Sequence, residues 1–95
     1  MIKLKTIKIG GHTYKVIFEP DKAITTNGHS CGRCNREKGV IAINSNLIQS
    51  EQEATFFHEV LHCINSELNE ITVESLAQQL YQVLSENKLL REMIF

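Results

Sequence analysis

The chain contains no long basic run and no long apolar run, and each of these absences excludes a class of protein. Ten Lys and Arg residues stand against eleven Asp and Glu residues, which gives a formal net charge of -1. A general nucleic-acid-binding protein presents a basic face, so we predict no nucleic-acid partner. Lysines interrupt the apolar residues of positions 1–9, unlike a signal peptide, and no stretch approaches the length of a membrane-spanning helix. We therefore expect a soluble, cytoplasmic protein with no membrane partner.

Internal repeats and low-complexity tracts are also missing, which limits the architecture. The 95 residues, 42% of them hydrophobic, fit one small domain, which we predict to span residues 1–95. Apolar alternation and helical apolar spacing predict the elements. The predicted strands are residues 2–9, 13–18 and 40–44, with a turn at Gly10-Gly11 between the first two. Residues 19–38 are predicted to form a loop or to contain a short element. The predicted helices are residues 51–66 and 73–87. The predicted fold is α+β, with a small, mainly antiparallel three-stranded sheet and two packed helices.

Cysteine is scarce, with only three residues in the chain. An odd number of cysteines fits a reducing compartment better than a disulfide framework. Cys31 and Cys34 form a Cys-x-x-Cys pair without a second pair at a metal-site spacing, so we interpret them as loop thiols. A structural zinc site that includes His29 and is completed by His12 or another residue, and a redox pair, are the alternatives. Cys63 is predicted to be a small helix residue.

Both predicted helices have N-capping residues and an apolar face. Ser50 and Glu53 match a capping box for the first helix, and Thr72 is the predicted cap of the second. The first helix has helical apolar spacing at Ala54, Phe57, Leu61, Ile64 and Leu68. The second has a predicted buried stripe at Val73, Leu76, Ala77, Leu80, Val83 and Leu84.

The first helix contains the pattern His-Glu-x-x-His at residues 58–62. Residues four apart lie on the same face of a helix, so His58 and His62 can bind one metal ion from one side. Glu59 reaches the same region without being a ligand. This arrangement predicts a zinc hydrolase, with two histidine ligands and Glu59 as the general base on zinc-bound water.

A catalytic zinc site takes a third protein ligand. The longer zinc motif that continues with Gly and His is excluded, because those positions hold Asn65 and Leu68. The other source is a glutamate that follows the motif, and the candidates are Glu67, Glu70 and Glu74. An antiparallel helix pair would bring the first turn of the second helix to the end of the motif helix, which favours Glu74, with Glu70 second.

The motif at residues 58–62, followed by residues 73–84, resembles the small phage-encoded metallopeptidase domains related to the ImmA/IrrE family. It is also similar to the minimal gluzincins, and the resemblance spans roughly residues 38–87. It implies a minimal zincin-like fold, a zinc site and a ligand glutamate in a Glu-x-x-Ala pattern, which Glu74 and Ala77 match. It also implies the cytoplasm of a bacterium or of a phage-infected host. Gln78 departs from the family, which often has Asn at that position.

These patterns together predict a zinc-dependent metallopeptidase that hydrolyses peptide bonds of an intracellular protein. Zn²⁺ would be held by His58, His62 and Glu74, and a protein or peptide substrate would add as a strand to an exposed edge at residues 40–44. The alternative is a peptidase-like fold that serves as a binding module with a structural or latent zinc site. The open candidates for an oxyanion donor are Tyr81, Tyr14, His12 and His29. The apolar C-terminal tail is predicted to dock on the core, on a partner or in the cleft.

Overall fold

The structure is a computed structural model, and it describes residues 4–20 and 31–90. Its strands are β1 (Thr6–Ile9), β2 (His12–Glu19), β3 (Gly32–Asn35) and β4 (Val40–Asn44), and its helices are α1 (Gln49–Ile64) and α2 (Glu70–Glu86). The predicted α+β class is confirmed. Neither helix is long and apolar enough to cross a bilayer within these described residues. The predictions for His29 and for tail residues 91–95 lie outside the described residues.

The sheet has the strand order β1-β2-β4-β3 and mixed pairing. Strand β2 pairs antiparallel with β1 and parallel with β4, and β4 pairs antiparallel with β3. The prediction of three strands was therefore wrong by one, since β3 lies inside the segment expected to be a loop. This strand has the sequence Gly-Arg-Cys-Asn and lacks the β-branched and aromatic residues that mark a strand.

Strand β4 is an inner strand, so the prediction that residues 40–44 offer an exposed edge was wrong. It has β2 on one side and β3 on the other. Its residues Ile41, Ala42 and Ile43 are each 0% exposed. A short run that is apolar on both faces is typical of a strand covered on both sides.

The predicted turn between β1 and β2 is confirmed. Gly10 and Gly11 have φ angles of 59° and 84°, which L side chains rarely adopt. Two such residues are what a two-residue hairpin of the favoured twist requires.

The hydrophobic core lies between one face of the sheet and α1. Its buried members come from β2, β4 and α1 and are Tyr14, Val16, Ile41, Ile43, Phe56 and Cys63. Helix α2 packs against α1 and buries Val73 and Ala77.

The predicted buried stripe on α2 was wrong for most of its members. Leu76, Leu80 and Val83 are 40–48% exposed. The contact with α1 uses the small side chains of Val73 and Ala77, so the larger apolar side chains of the stripe lie outside it. The sequence spacing identified an amphipathic helix but not the width of its buried face.

The predicted helix caps were also wrong. Helix α1 has Ile48 as its N-cap, and this apolar side chain makes no capping bond. Glu53, the predicted partner of Ser50, accepts hydrogen bonds from Tyr81 and Gln49. In α2 the cap is the side chain of Asn69, which accepts from the backbone N–H of Thr72 at 2.8 Å. That helix therefore begins at Glu70, three positions before its predicted start.

Candidate metal centre

Helix α1 presents the two motif histidines on one face, as the sequence predicts. The Nε2 atoms of His58 and His62 lie 3.1 Å apart, and their ring centroids are 4.8 Å apart. Two ligands at about 2.1 Å from a tetrahedral zinc ion would lie roughly 3.4 Å apart. The observed nitrogen–nitrogen distance is close to that value, so the pair suits a shared ion.

The carboxylate nearest to both Nε2 atoms belongs to Glu70, the first residue of α2. Its Oε1 lies 2.5 Å from His62 Nε2, and its Oε2 lies 3.3 Å from His58 Nε2. The short connection at residues 65–69 returns the chain so that the start of α2 faces the end of α1. His58, His62 and Glu70 thus offer one ligand atom each, all within 4.8 Å of one another.

Glu74 contacts the other nitrogen of the same histidine. Its Oε2 lies 2.9 Å from His58 Nδ1, and its Oε1 accepts a hydrogen bond from Gln78 Nε2 at 3.1 Å. A metal-bound histidine usually donates its second ring N–H to a carboxylate, which fixes the tautomer and the ring orientation. The geometry therefore favours Glu70 as the third ligand and gives Glu74, the residue favoured from sequence, a positioning role.

The three donors suit a divalent cation. Two imidazole nitrogens and one carboxylate are a ligand set of catalytic zinc, and they leave a fourth position open. The same nitrogen and oxygen donors also bind other first-row divalent metals. A cation here would neutralise the carboxylate of Glu70 beside the two rings.

Glu59 lies on α1 between the two histidines and is 6% exposed. Burial, with the nearby Glu70 carboxylate as a smaller cause, raises its pKa to about 7. A general base works best when its pKa is near the operating pH. Glu59 lines the same cavity as the three donors, so it has the location and the proton affinity of a base.

Close contact with Gly32 of β3 helps to bury Glu59. A Cβ atom added at Gly32 would lie 3.3 Å from Glu59 Cγ, 2.8 Å from Thr55 Cγ2 and 2.7 Å from the Ala42 carbonyl oxygen. Distances below 3.0 Å leave no room for a side chain, so this position needs glycine. Sequence analysis missed Gly32, and its only signal was a glycine between two cysteines.

A disulfide joins β3 to α1 at the candidate site. Cys34 and Cys63 are bonded, with their Cα atoms 6.4 Å apart, and Cys31 is a free, exposed thiol. The interpretation of Cys34 as a loop thiol was therefore wrong, since it lies in β3, whereas Cys63 is a residue of α1 as predicted and is in addition disulfide-bonded. The chain has one bonded pair and one free cysteine, so its odd cysteine count did not exclude a disulfide. The bond brings together residues 29 positions apart.

Alternate residues of segment 32–36, which is β3 and the residue after it, contact α1 and Ser66, which follows α1. Gly32 lies against Thr55 and Glu59, Cys34 is bonded to Cys63, and Arg36 Nη1 donates to Ser66 Oγ at 2.9 Å. Side chains of a strand alternate between its two faces, so positions 32, 34 and 36 can all face the helix. Strand β3 is thereby held along α1 over the motif.

The elements α1, α2 and β3 enclose an open cavity of about 680 Å³. Its lining includes the carboxylates of Glu51, Glu59, Glu70 and Glu74 and the guanidinium of Arg36. An excess of carboxylates favours a bound cation. The cavity is therefore electrostatically suited to the metal that the donor set fits.

Three of the four predicted oxyanion donors lie in the described residues, and none of these three lines the cavity. Tyr81 donates to Glu53 Oε1 at 2.6 Å, and burial, followed by that carboxylate, raises the pKa of Tyr81 to about 12. Tyr14 is a core residue, and His12 is exposed on β2.

Comparison with known proteins found no matching family model, no matching curated protein and no matching solved structure. The resemblance to the ImmA/IrrE-related metallopeptidases therefore stays a prediction from the motif residues. The functional argument below rests on the geometry of the site.

Proposed function

We propose that this chain is a zinc-dependent metallopeptidase of minimal zincin-like architecture, acting on an intracellular protein. The proposed ligands are His58, His62 and Glu70, and Glu59 is the proposed general base. The observation that carries the proposal is the convergence of these donors with a buried carboxylate whose pKa is raised to about 7. A purely structural metal site would not need Glu59. The similarity of residues 58–62 and 73–84 to the ImmA/IrrE-related peptidases supports the same proposal.

The side chains of the proposed site have separate roles. Glu74, held by Gln78, accepts the Nδ1 proton of His58 and so leaves Nε2 free to bind the metal. When bound, zinc lowers the pKa of a coordinated water toward about 7 and polarises a carbonyl group. Glu59 takes the proton of the attacking water and delivers it to the leaving amine.

The proposed substrate site is the outer edge of β3. This strand pairs with β4 on one side, and no other described strand pairs with it. An extended peptide can add to such an edge through backbone hydrogen bonds. Because Gly32 lies directly against Glu59, a peptide along β3 would pass beside the general base.

The test compares Glu59→Gln with the unchanged protein, with Glu51→Gln as a matched control. Glu51 also lines the cavity but belongs neither to the proposed ligands nor to the proton pathway. Zinc content is measured by mass spectrometry, and hydrolysis is measured on an unfolded generic protein. We expect Glu59→Gln to keep its zinc and lose at least about 100-fold in rate, the lower range for a general base, while Glu51→Gln stays active.

Other outcomes would contradict the proposal. A protein that binds zinc at these residues but cleaves nothing, with or without Glu59, would support the alternative of a binding module with a latent zinc site. A protein that binds no zinc, or a Glu59→Gln variant that cleaves as fast as the unchanged protein, would exclude the proposed mechanism.

A further inference from the structure

The two sulfurs of the Cys34–Cys63 disulfide lie in different surroundings. Cys63 is 3% exposed and belongs to the hydrophobic core with Phe56 and the sheet residues. Cys34 is partly buried and lines the cavity of the candidate metal centre. A nucleophile that enters the cavity therefore meets the sulfur of Cys34 and not that of Cys63.

We propose that Cys34 is a thiol-exchange site that reacts with a low-molecular-weight thiol entering from the candidate metal cleft. Exchange depends on which sulfur a nucleophile can reach. Both residues pack at the hydrophobic core, but only Cys34 also lines the cavity, and this difference favours attack at Cys34. Glutathione is the small thiol that keeps protein thiols reduced in the cytosol, and it is a nucleophile of the required size.

The exchange is balanced without any other reactant. The incoming thiolate attacks Cys34 Sγ and forms a mixed disulfide, the bond to Cys63 breaks, and its electron pair leaves on Cys63 Sγ, which takes up a proton. One disulfide is exchanged for another, so no oxidant is needed.

The remaining cysteine of the chain is poorly placed to do this internally. Cys31 contacts Thr55, and burial raises the pKa of its thiol. Thr55 precedes Cys63 by eight residues, which is roughly 12 Å along a helix. The attacking thiol therefore comes from solution.

Exchange would have a local consequence. It removes the covalent attachment of β3 to α1, leaving the close contact of Gly32 with α1 and the hydrogen bond between Arg36 and Ser66, which lie just beyond the two elements. It also attaches the incoming group to a residue of the cavity lining. The modified site would therefore have a narrower cleft and a less firmly held edge strand.

The experiment uses the full chain carrying Cys31→Ser, which removes the exposed free thiol. The oxidised, metal-free protein is exposed briefly to glutathione under native conditions, and free thiols are then alkylated. A glutamyl-specific protease separates the two cysteines. The bond after Glu19 precedes Pro20 and resists cleavage, so Cys34 lies in the peptide of residues 1–37, and Glu59 and Glu67 bound the peptide with Cys63. The same reaction in denaturant, where both sulfurs are accessible, is the control.

We expect one glutathionyl group on the peptide of residues 1–37 and one alkyl group on the peptide of residues 60–67. The denatured control should show glutathione on both. The proposal is overturned if the native protein carries glutathione on residues 60–67, if its distribution equals that of the denatured protein, or if it stays unmodified while the denatured protein reacts. None of these readouts requires peptidase activity, so a failure here is distinct from a failure of the proposed function.

Discussion

Glu70 and Glu74 contact different nitrogens of His58, and this difference predicts unequal effects of mutation on zinc binding. Loss of a carboxylate that only orients a ligand typically costs about 10–100-fold in metal affinity. Removing a ligand itself should cost more. We therefore expect Glu70→Ala to weaken zinc binding more than Glu74→Ala, measured by competition with a chromogenic chelator.

The opposite order would identify Glu74 as the ligand, as the sequence alone favoured. Gln78→Ala is an informative control, because Gln78 donates to Glu74 and contacts no proposed ligand. Its effect should be smaller than that of either glutamate substitution.

The sequence predicted the motif residues more reliably than the third ligand, and the reason is physical. His58 and His62 are fixed relative to each other by one helical repeat, so their spacing alone places them. Glu70 and Glu74 are also four residues apart, so both lie on one face of α2, and only the position of that helix distinguishes them. A predicted start three residues too late placed Glu70 outside the helix.

Glu59 predicts a pH dependence of stability in the metal-free protein. Its pKa is raised to about 7, so between the unfolded value near 4.3 and 7 the folded state binds more protons. The contribution of Glu59 to the free energy of unfolding is therefore fully present below the pKa that this residue has in the unfolded chain. It is lost as pH rises through 7. Integrated over the shift, the loss is up to about 3 kcal/mol.

The measurement compares urea unfolding of the metal-free protein with that of Glu59→Gln at several pH values. We expect the variant to gain stability relative to the unchanged protein as pH rises from about 5 to 8, since glutamine does not titrate. A constant difference over that range would show that Glu59 is not a titrating buried carboxyl.

At the scale of elements, the disulfide is the covalent attachment between β3 and α1. The bond joins residues 29 positions apart, and closing a loop of that length stabilises a protein by about 3–4 kcal/mol in the chain-entropy description. We expect the double substitution Cys34→Ser, Cys63→Ser to lose roughly this free energy of unfolding in urea. Cys31→Ser should be nearly neutral, because that thiol is unbonded and exposed.

Equal stability of the double variant and the Cys31→Ser control would contradict the bonded pair. The same substitutions give no information on catalysis, since neither cysteine is assigned a proton or a metal. They test only whether the disulfide attaches β3 to α1.

Prediction of the elements succeeded where a local pattern was sufficient and failed where tertiary contact decided. The turn at Gly10-Gly11 and the strand β4 can each be predicted from their own residues, which are two glycines and a short apolar run. Strand β3 exists because Gly32 fits closely against α1 and because Cys34 meets Cys63, and neither contact is visible in a short polar segment. Likewise, the apolar spacing of α2 could not show that only Val73 and Ala77 would be buried.

At the scale of the whole molecule, α2 is joined to the rest of the described structure mainly through its contact with α1. It packs against α1 and leaves Leu76, Leu80 and Val83 exposed. Glu70, at its first turn, reaches the two histidines of α1. A metal bound by these three residues would therefore link the two helices directly, and its binding energy would appear as stability of the fold.

Zinc should for this reason raise the melting temperature. A ligand that binds only the folded state at 100 times its dissociation constant adds about 2.7 kcal/mol. For a chain of this size each kcal/mol corresponds to about 4–8 °C, so we expect an increase of roughly 10–20 °C, reversed by a chelator.

The control is His62→Ala, which removes one proposed ligand from α1 and leaves α2 unchanged. Its melting temperature should not respond to zinc, and amide exchange in α2 of the unchanged protein should slow when the metal binds. If His62→Ala gained as much stability from zinc as the unchanged protein, the metal would be binding elsewhere. The link between α1 and α2 would then rest on the packing of Val73 and Ala77 and on the Tyr81–Glu53 hydrogen bond, because no ion would join Glu70 to the histidines.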